Sequence, residues 1–171
     1  MAQDGFLTGG IEGVLWALFG IATITDLLRG KIYNTLTLSF LVAGFAARII
    51  SQGAAGGQSA FLSLLVAFAL FFPLWHLKVL AAGDVKLLMA ASPWLSVPET
   101  VRLAMLSILF GAAVGLVVRL RMNLKNEVAE QKAVPYTGTK RLLKMPFAPA
   151  FFCAFTLMQI AYLQHWGTWP W

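Results

Sequence analysis

The chain has 171 residues, 59% of them hydrophobic and only 12% charged, and a mean hydropathy of +0.76. A soluble domain has about a quarter of its residues charged, so the composition excludes a soluble enzyme and leaves no room for a second, soluble domain. Continuous apolar runs exclude an outer-membrane barrel, whose strands alternate, and the net charge of +6 fits cytoplasmic loops rather than a nucleic-acid partner.

The expectation is an all-α, polytopic membrane protein of six spans, forming a single transmembrane domain over residues 1–171. Residues 1–10 lack the basic region that opens a secretory signal, so the first apolar run, about Ile11–Leu28, reads as a retained span. Leu28-Arg29-Gly30-Lys31 ends it. The second span runs from about Thr35 to Ile50 and stops at a polar, Gly-rich loop, residues 51–58. The third covers about Ser59–Leu77 and contains Pro73. The fourth, about Val79–Val97, carries Ala81-Ala82-Gly83-Asp84-Val85-Lys86-Leu87 near its start.

The fifth span, about Thr100–Val118, contains Gly111 and Gly115 at a spacing that suits either close helix packing or lipid. Residues 119–146 form one long basic loop, with Glu127 and Glu130 among seven cations. The sixth span, about Pro146–Leu163, leads into His165-Trp166-Gly167-Thr168-Trp169-Pro170-Trp171, an interfacial aromatic anchor. The single Cys153 permits neither a disulfide framework nor a Cys-based zinc site. No cofactor or metal ligand set is expected. His76 and His165 read as interfacial, and Trp16, Trp75 and Trp94 as packing or belt residues.

Arginine and lysine set the orientation. With the amino terminus outside and six spans threaded, 11 of the 13 basic residues fall inside, leaving only Arg48 and Arg102 outside. Both termini are then expected on the outer, periplasmic side.

This orientation brings two aspartates to the cytoplasmic edge. Asp26 lies near the inner end of span one and Asp84 near the inner start of span four. An ionisable group beside apolar runs costs ~2.5 kcal/mol or more at a bilayer centre and marks a functional site by default. Two close carboxylates cannot easily both ionise, so they share a proton. That suits hydrolysis of a peptide bond, with one carboxylate activating water and the other hydrogen-bonding the carbonyl oxygen. The helix ends predict the charge on Asp84, near an amino end, and the proton on Asp26, near a carboxyl end.

Three residues support the pair. Gly83 offers close approach to another backbone or a substrate, or is simply a flexible start to its helix. Lys86 is ~200° around a helix from Asp84, so it is not its direct partner. It snorkels to the interface or touches substrate. Asn34 caps its helix or braces the site. Arg29, three residues after Asp26, is placed to pair with it.

These motifs resemble those of the type IV prepilin peptidases, in the short form of Tad/Cpa-type pilus systems. Asp26-Leu27-Leu28-Arg29-Gly30-Lys31-Ile32-Tyr33-Asn34 is similar to the family's Asp, basic turn and Ile-Pro-Asn, with Tyr33 where proline is usual. Ala81-Ala82-Gly83-Asp84-Val85-Lys86-Leu87 is similar to Gly-x-Gly-Asp-x-Lys-Leu, with Ala81 in place of the first glycine. Pro146-Phe147-Ala148-Pro149-Ala150 is similar to the start of the family's final span.

The resemblance implies an aspartic, GxGD-type intramembrane peptidase of the bacterial inner membrane, with Asp26 and Asp84 as its catalytic pair. Its partners would be prepilin-like precursors, whose short basic leader it removes at the cytoplasmic face, and the lipid bilayer. The long form's Cys-rich region is not found here, so no N-methyltransferase activity is expected. Two other readings of the carboxylates are a proton-coupled transporter and a structural membrane subunit in which Asp26 pairs with a cation such as Lys86.

Overall fold

A computed structural model describes residues 8–77, 80–130 and 147–163 of the chain. All regular structure among the described residues is helical: α1 (Thr8–Arg29), α2 (Asn34–His76), α3 (Ala82–Ala91), a 3-10 turn (Ser92–Trp94), α4 (Val97–Glu130) and α5 (Ala148–Leu163). Asp4, Lys78, His165 and the terminal tryptophans lie outside the described residues.

Helix α1 stops because Gly30 takes φ 60°, a left-handed conformation that costs most residues ~1–2 kcal/mol and glycine almost nothing. The Gly30 N–H closes the last turn on the Asp26 carbonyl at 2.8 Å.

A straight helix of 43 residues would be about 64 Å long, twice a bilayer's hydrocarbon core. Helix α2 instead breaks at Gly53, where φ is 64° and ψ −146°. A Cβ at Gly56 would fall 2.2 Å from the Arg48 carbonyl oxygen, although eight residues of continuous helix span about 12 Å. The chain therefore doubles back at Gly53. Its two arms correspond to the second and third spans expected from the sequence. The expected loop over residues 51–58 is corrected to helical turns around a single glycine, because one glycine can supply the whole change of direction.

The fourth expected span differs more. Helix α3 has ten residues and rises about 15 Å, short of the roughly 30 Å hydrocarbon core. Its far end passes into the 3-10 turn, which is buried against α2. Arg48 Nε donates to the Pro93 carbonyl at 3.1 Å, Ser63 Oγ to the Leu95 carbonyl at 3.1 Å, and Trp94 Nε1 to the Phe40 carbonyl at 2.9 Å. Both arms of α2 thus hold one turn. Arg48, expected towards the outer surface, is buried in this contact.

Ser96 starts α4. Glu99 Oε2 accepts from the Ser96 N–H at 2.7 Å and from its hydroxyl at 2.8 Å, which satisfies groups that a helix start leaves open. The helix then runs on to Glu130, so the first part of the expected basic loop continues the fifth span.

The core joins Leu15, Leu18, Phe19 and Ala22 of α1 to Phe71 of α2, Leu87 and Leu88 of α3, Leu103 of α4, and Phe151 and Phe155 of α5. Phe19 stacks on Phe151 with centroids 5.9 Å apart, and Trp16 meets the edges of Phe152 and Phe155. Large apolar side chains such as Ile24, Leu28, Ile50, Leu62, Leu65, Met105 and Leu109 face outward. Three described helices are long and apolar enough to cross a membrane: Gly10–Arg29, Asn34–His76 and Val97–Val117. Ala148–Ala161 is apolar but shorter.

Candidate active site

Asp26 lies one turn from the end of α1 and is 8% exposed; Asp84 lies in the first turn of α3 and is 5% exposed. Each buried carboxylate has a backbone partner, as burial of a polar group requires. Asp84 Oδ2 accepts from the Ala81 N–H at 3.1 Å. This bends the carboxylate back over the amino end of its own helix, where the open N–H groups and the helix dipole suit an anion.

Asp26 Oδ2 accepts from the Ala148 N–H at 3.2 Å. Ala148 is the first residue of α5, 122 residues further along the chain. Both carboxylates therefore meet a helix amino end, and the asymmetry of helix ends read from the sequence is offset by α5. Sequence reasoning missed Ala148 because the donor is a backbone group with no side-chain signature. Pro146 and Pro149, which mark a helix start, were the available signal.

The segments that carry the two aspartates touch. The Ile32 side chain packs against Gly83, 3.5 Å from where a Cβ would stand. That is an ordinary contact distance, so Gly83 is not forced by a close backbone approach. Lys86 Nζ donates to Asn34 Oδ1 at 3.0 Å. Lys86 thus reaches the residue that opens α2, whereas the structural-subunit reading paired it with Asp26. The capping role considered for Asn34 is corrected: Tyr33 is the residue before the helix, there is no side-chain cap, and the Asn34 side chain is engaged with Lys86.

Arg29 turns to Tyr33, hydrogen-bonding its hydroxyl and lying over its ring at 5.8 Å from the centroid. The pairing with Asp26 expected from their three-residue spacing is corrected: Arg29 is exposed and engages Tyr33, whereas the Asp26 carboxylate is buried and held by the Ala148 N–H. Ala81, where the motif resemblance has glycine, takes φ −78° and ψ 151°, extended backbone open to any residue. Thr23 Oγ1, one helical turn before Asp26, is buried without a hydrogen-bond partner among the described residues. His76 lies against Phe72, with ring centroids 6.3 Å apart. Among the described residues no three His, Cys, Asp or Glu side chains are grouped to hold a metal ion.

Apolar outer faces and two buried carboxylates on separate helices define an all-helical protein of membrane type with a polar centre at one end. The chain belongs to the type IV leader peptidase family, whose sequence model matches residues 13–116. It is a peptidase of that family. The matched residues include Asp26, Asp84, Asn34 and Lys86 but not α5, which supplies the Ala148 N–H. No curated protein and no solved structure matched the chain.

Proposed function

We propose that the protein is an aspartic endopeptidase of the bacterial inner membrane that removes the short basic leader from prepilin-like precursors at the cytoplasmic face. The observation that carries the reading is the burial of Asp26 and Asp84, 8% and 5% exposed, on chain segments that touch through Ile32 and Gly83. Family membership supports peptide hydrolysis and a prepilin-like substrate. With the short α3 and the turn after it counted as one crossing, the distribution of arginine and lysine supports the cytoplasmic face and outer termini. The doubling of α2 at Gly53 supports more passes than there are long helices. Lys86, Asn34 and Gly83 are assigned supporting roles, and pilus assembly is the process served.

In the proposed reaction one carboxylate is ionised and takes a proton from water as the oxygen attacks the scissile carbonyl. The other is protonated and hydrogen-bonds the carbonyl oxygen as negative charge develops there. The tetrahedral intermediate collapses with cleavage of the C–N bond, and a proton passes to the leaving nitrogen.

The test is cleavage of a pilin-type precursor in membranes by the wild type, Asp26→Ala and Asp84→Ala, each checked for insertion. Loss of at least ~10²-fold in rate for both variants is expected, the scale of general acid–base catalysis. Full cleavage by either variant removes the pair.

A further inference from the structure

Gly111 sits within α4, a glycine whose spacing from Gly115 suggested either packing or lipid exposure. Its environment is specific. A Cβ built there would fall 1.8 Å from Cε2, 2.3 Å from Cζ and 2.8 Å from Cδ2 of Phe147. Real Cβ atoms do not approach so closely, so the Phe147 ring occupies the space that a side chain at position 111 would need. Phe147 immediately precedes Ala148, whose N–H holds the Asp26 carboxylate.

We propose that Gly111 is a positioning residue for Asp26: it seats the Phe147 ring against the bare backbone of α4 and thereby fixes the amino end of α5 on the carboxylate. The ring is joined tightly to that helix. The Phe147 carbonyl accepts from the Ala150 N–H at 2.9 Å, closing the first turn of α5, and the ring meets Phe151 edge-on with centroids 5.7 Å apart. A displaced ring therefore carries the helix end with it. The Ala148–Asp26 bond is already 3.2 Å long, at the outer limit of ordinary N–H···O bonds, so a shift of about 1 Å breaks it.

An amide at the first helical position has no acceptor within its own helix. Ala148 is also fully buried, so the part of its N–H protection that is lost in Asp26→Ala is what reports the bond to Asp26. The catalytic part of the inference rests on the peptidase reading; the exchange measurement does not.

The experiment compares the full chain with Gly111→Val, Phe147→Ala, the pair combined, and Asp26→Ala. It measures amide exchange across residue 148 in detergent micelles and steady-state cleavage of a pilin-type precursor. Amides of α1 and α3 report whether each variant is folded. Gly111→Val and Phe147→Ala are each expected to lose protection at Ala148, as Asp26→Ala does. Each is expected to lower kcat at least about tenfold with KM within about twofold, the pattern of lost alignment. The combined variant, with valine filling the space the ring leaves, regains protection and rate relative to Gly111→Val.

Unchanged Ala148 exchange in folded Gly111→Val or Phe147→Ala overturns the proposal, as does a fall in KM-dependent binding alone. A wild type that does not cleave the precursor refutes the peptidase reading instead, and the exchange data then decide the role of Gly111.

Discussion

Lys86 Nζ and Asn34 Oδ1 are 3.0 Å apart across 52 residues of sequence. Asn34 follows Asp26 by eight residues, and Lys86 follows Asp84 by two. The bond therefore ties the segment leaving one aspartate to the helix bearing the other. It is an exposed bond, so its contribution to stability is small, but it restrains where the two segments sit relative to each other.

A double-mutant cycle tests that restraint. Asn34→Ala and Lys86→Ala are each expected to slow precursor cleavage several-fold. The double variant should be little worse than either single one, with a coupling of about 0.5–1.5 kcal/mol, the net scale of one hydrogen bond. Asn34→Asp keeps an acceptor for the ammonium and should retain more activity than Asn34→Ala. Strictly additive losses would show that the two residues act separately.

Arg48 supports the other end of α3. Truncation to Ala leaves the Pro93 carbonyl without its buried donor, at a cost of about 1–3 kcal/mol. The expected readout is a lower unfolding temperature in detergent. An unchanged temperature would mean that the contact contributes nothing.

Gly53 and Gly83 should respond oppositely to alanine. Gly53 has φ 64°, so Gly53→Ala strains the reversal by at least ~1 kcal/mol. Gly83 lies in regular helix, with 3.5 Å between its Cβ position and the Ile32 side chain. Gly83→Ala should stabilise by up to ~1 kcal/mol, the difference in helix propensity. Thermal unfolding of both variants under one condition checks the contrast.

Tyr33→Pro restores the residue usual in the resembling motif. Tyr33 has φ −74°, within the range that proline fixes, and no described hydrogen bond uses its N–H. The variant gives up the Arg29 contact at an exposed site, a cation–π pair worth about 0.5–1 kcal/mol together with a hydrogen bond to the hydroxyl that water replaces. It gains about 0.4–1 kcal/mol from a less flexible unfolded chain. The unfolding temperature should therefore move little. A large fall would show that the Arg29–Tyr33 contact carries unexpected weight.

Much of the protein was legible in its residues. Composition pointed to a membrane-type chain, because a soluble domain has about a quarter of its residues charged, and continuous apolar runs pointed to helices, because barrel strands alternate. The motifs around Asp26 and Asp84 were enough to suggest the leader peptidase family, since the residue types and spacing survive without any knowledge of packing. Helices α1 and α5 fell close to their expected places, with Gly30 just past the end of α1 and Pro149 in the first turn of α5, whereas α4 ran twelve residues beyond the end expected for the fifth span.

Tertiary structure decided the rest, for a common physical reason: the deciding groups are backbone atoms and empty spaces, which the sequence does not display. The Ala148 N–H on Asp26, the bare face of Gly111 under Phe147, and the Pro93 carbonyl on Arg48 all join residues far apart in the chain. The single-residue reversal at Gly53 was hidden among neighbouring glycines that share its composition but not its φ. Asp26 could be named from the sequence; the helix end that holds its carboxylate could not.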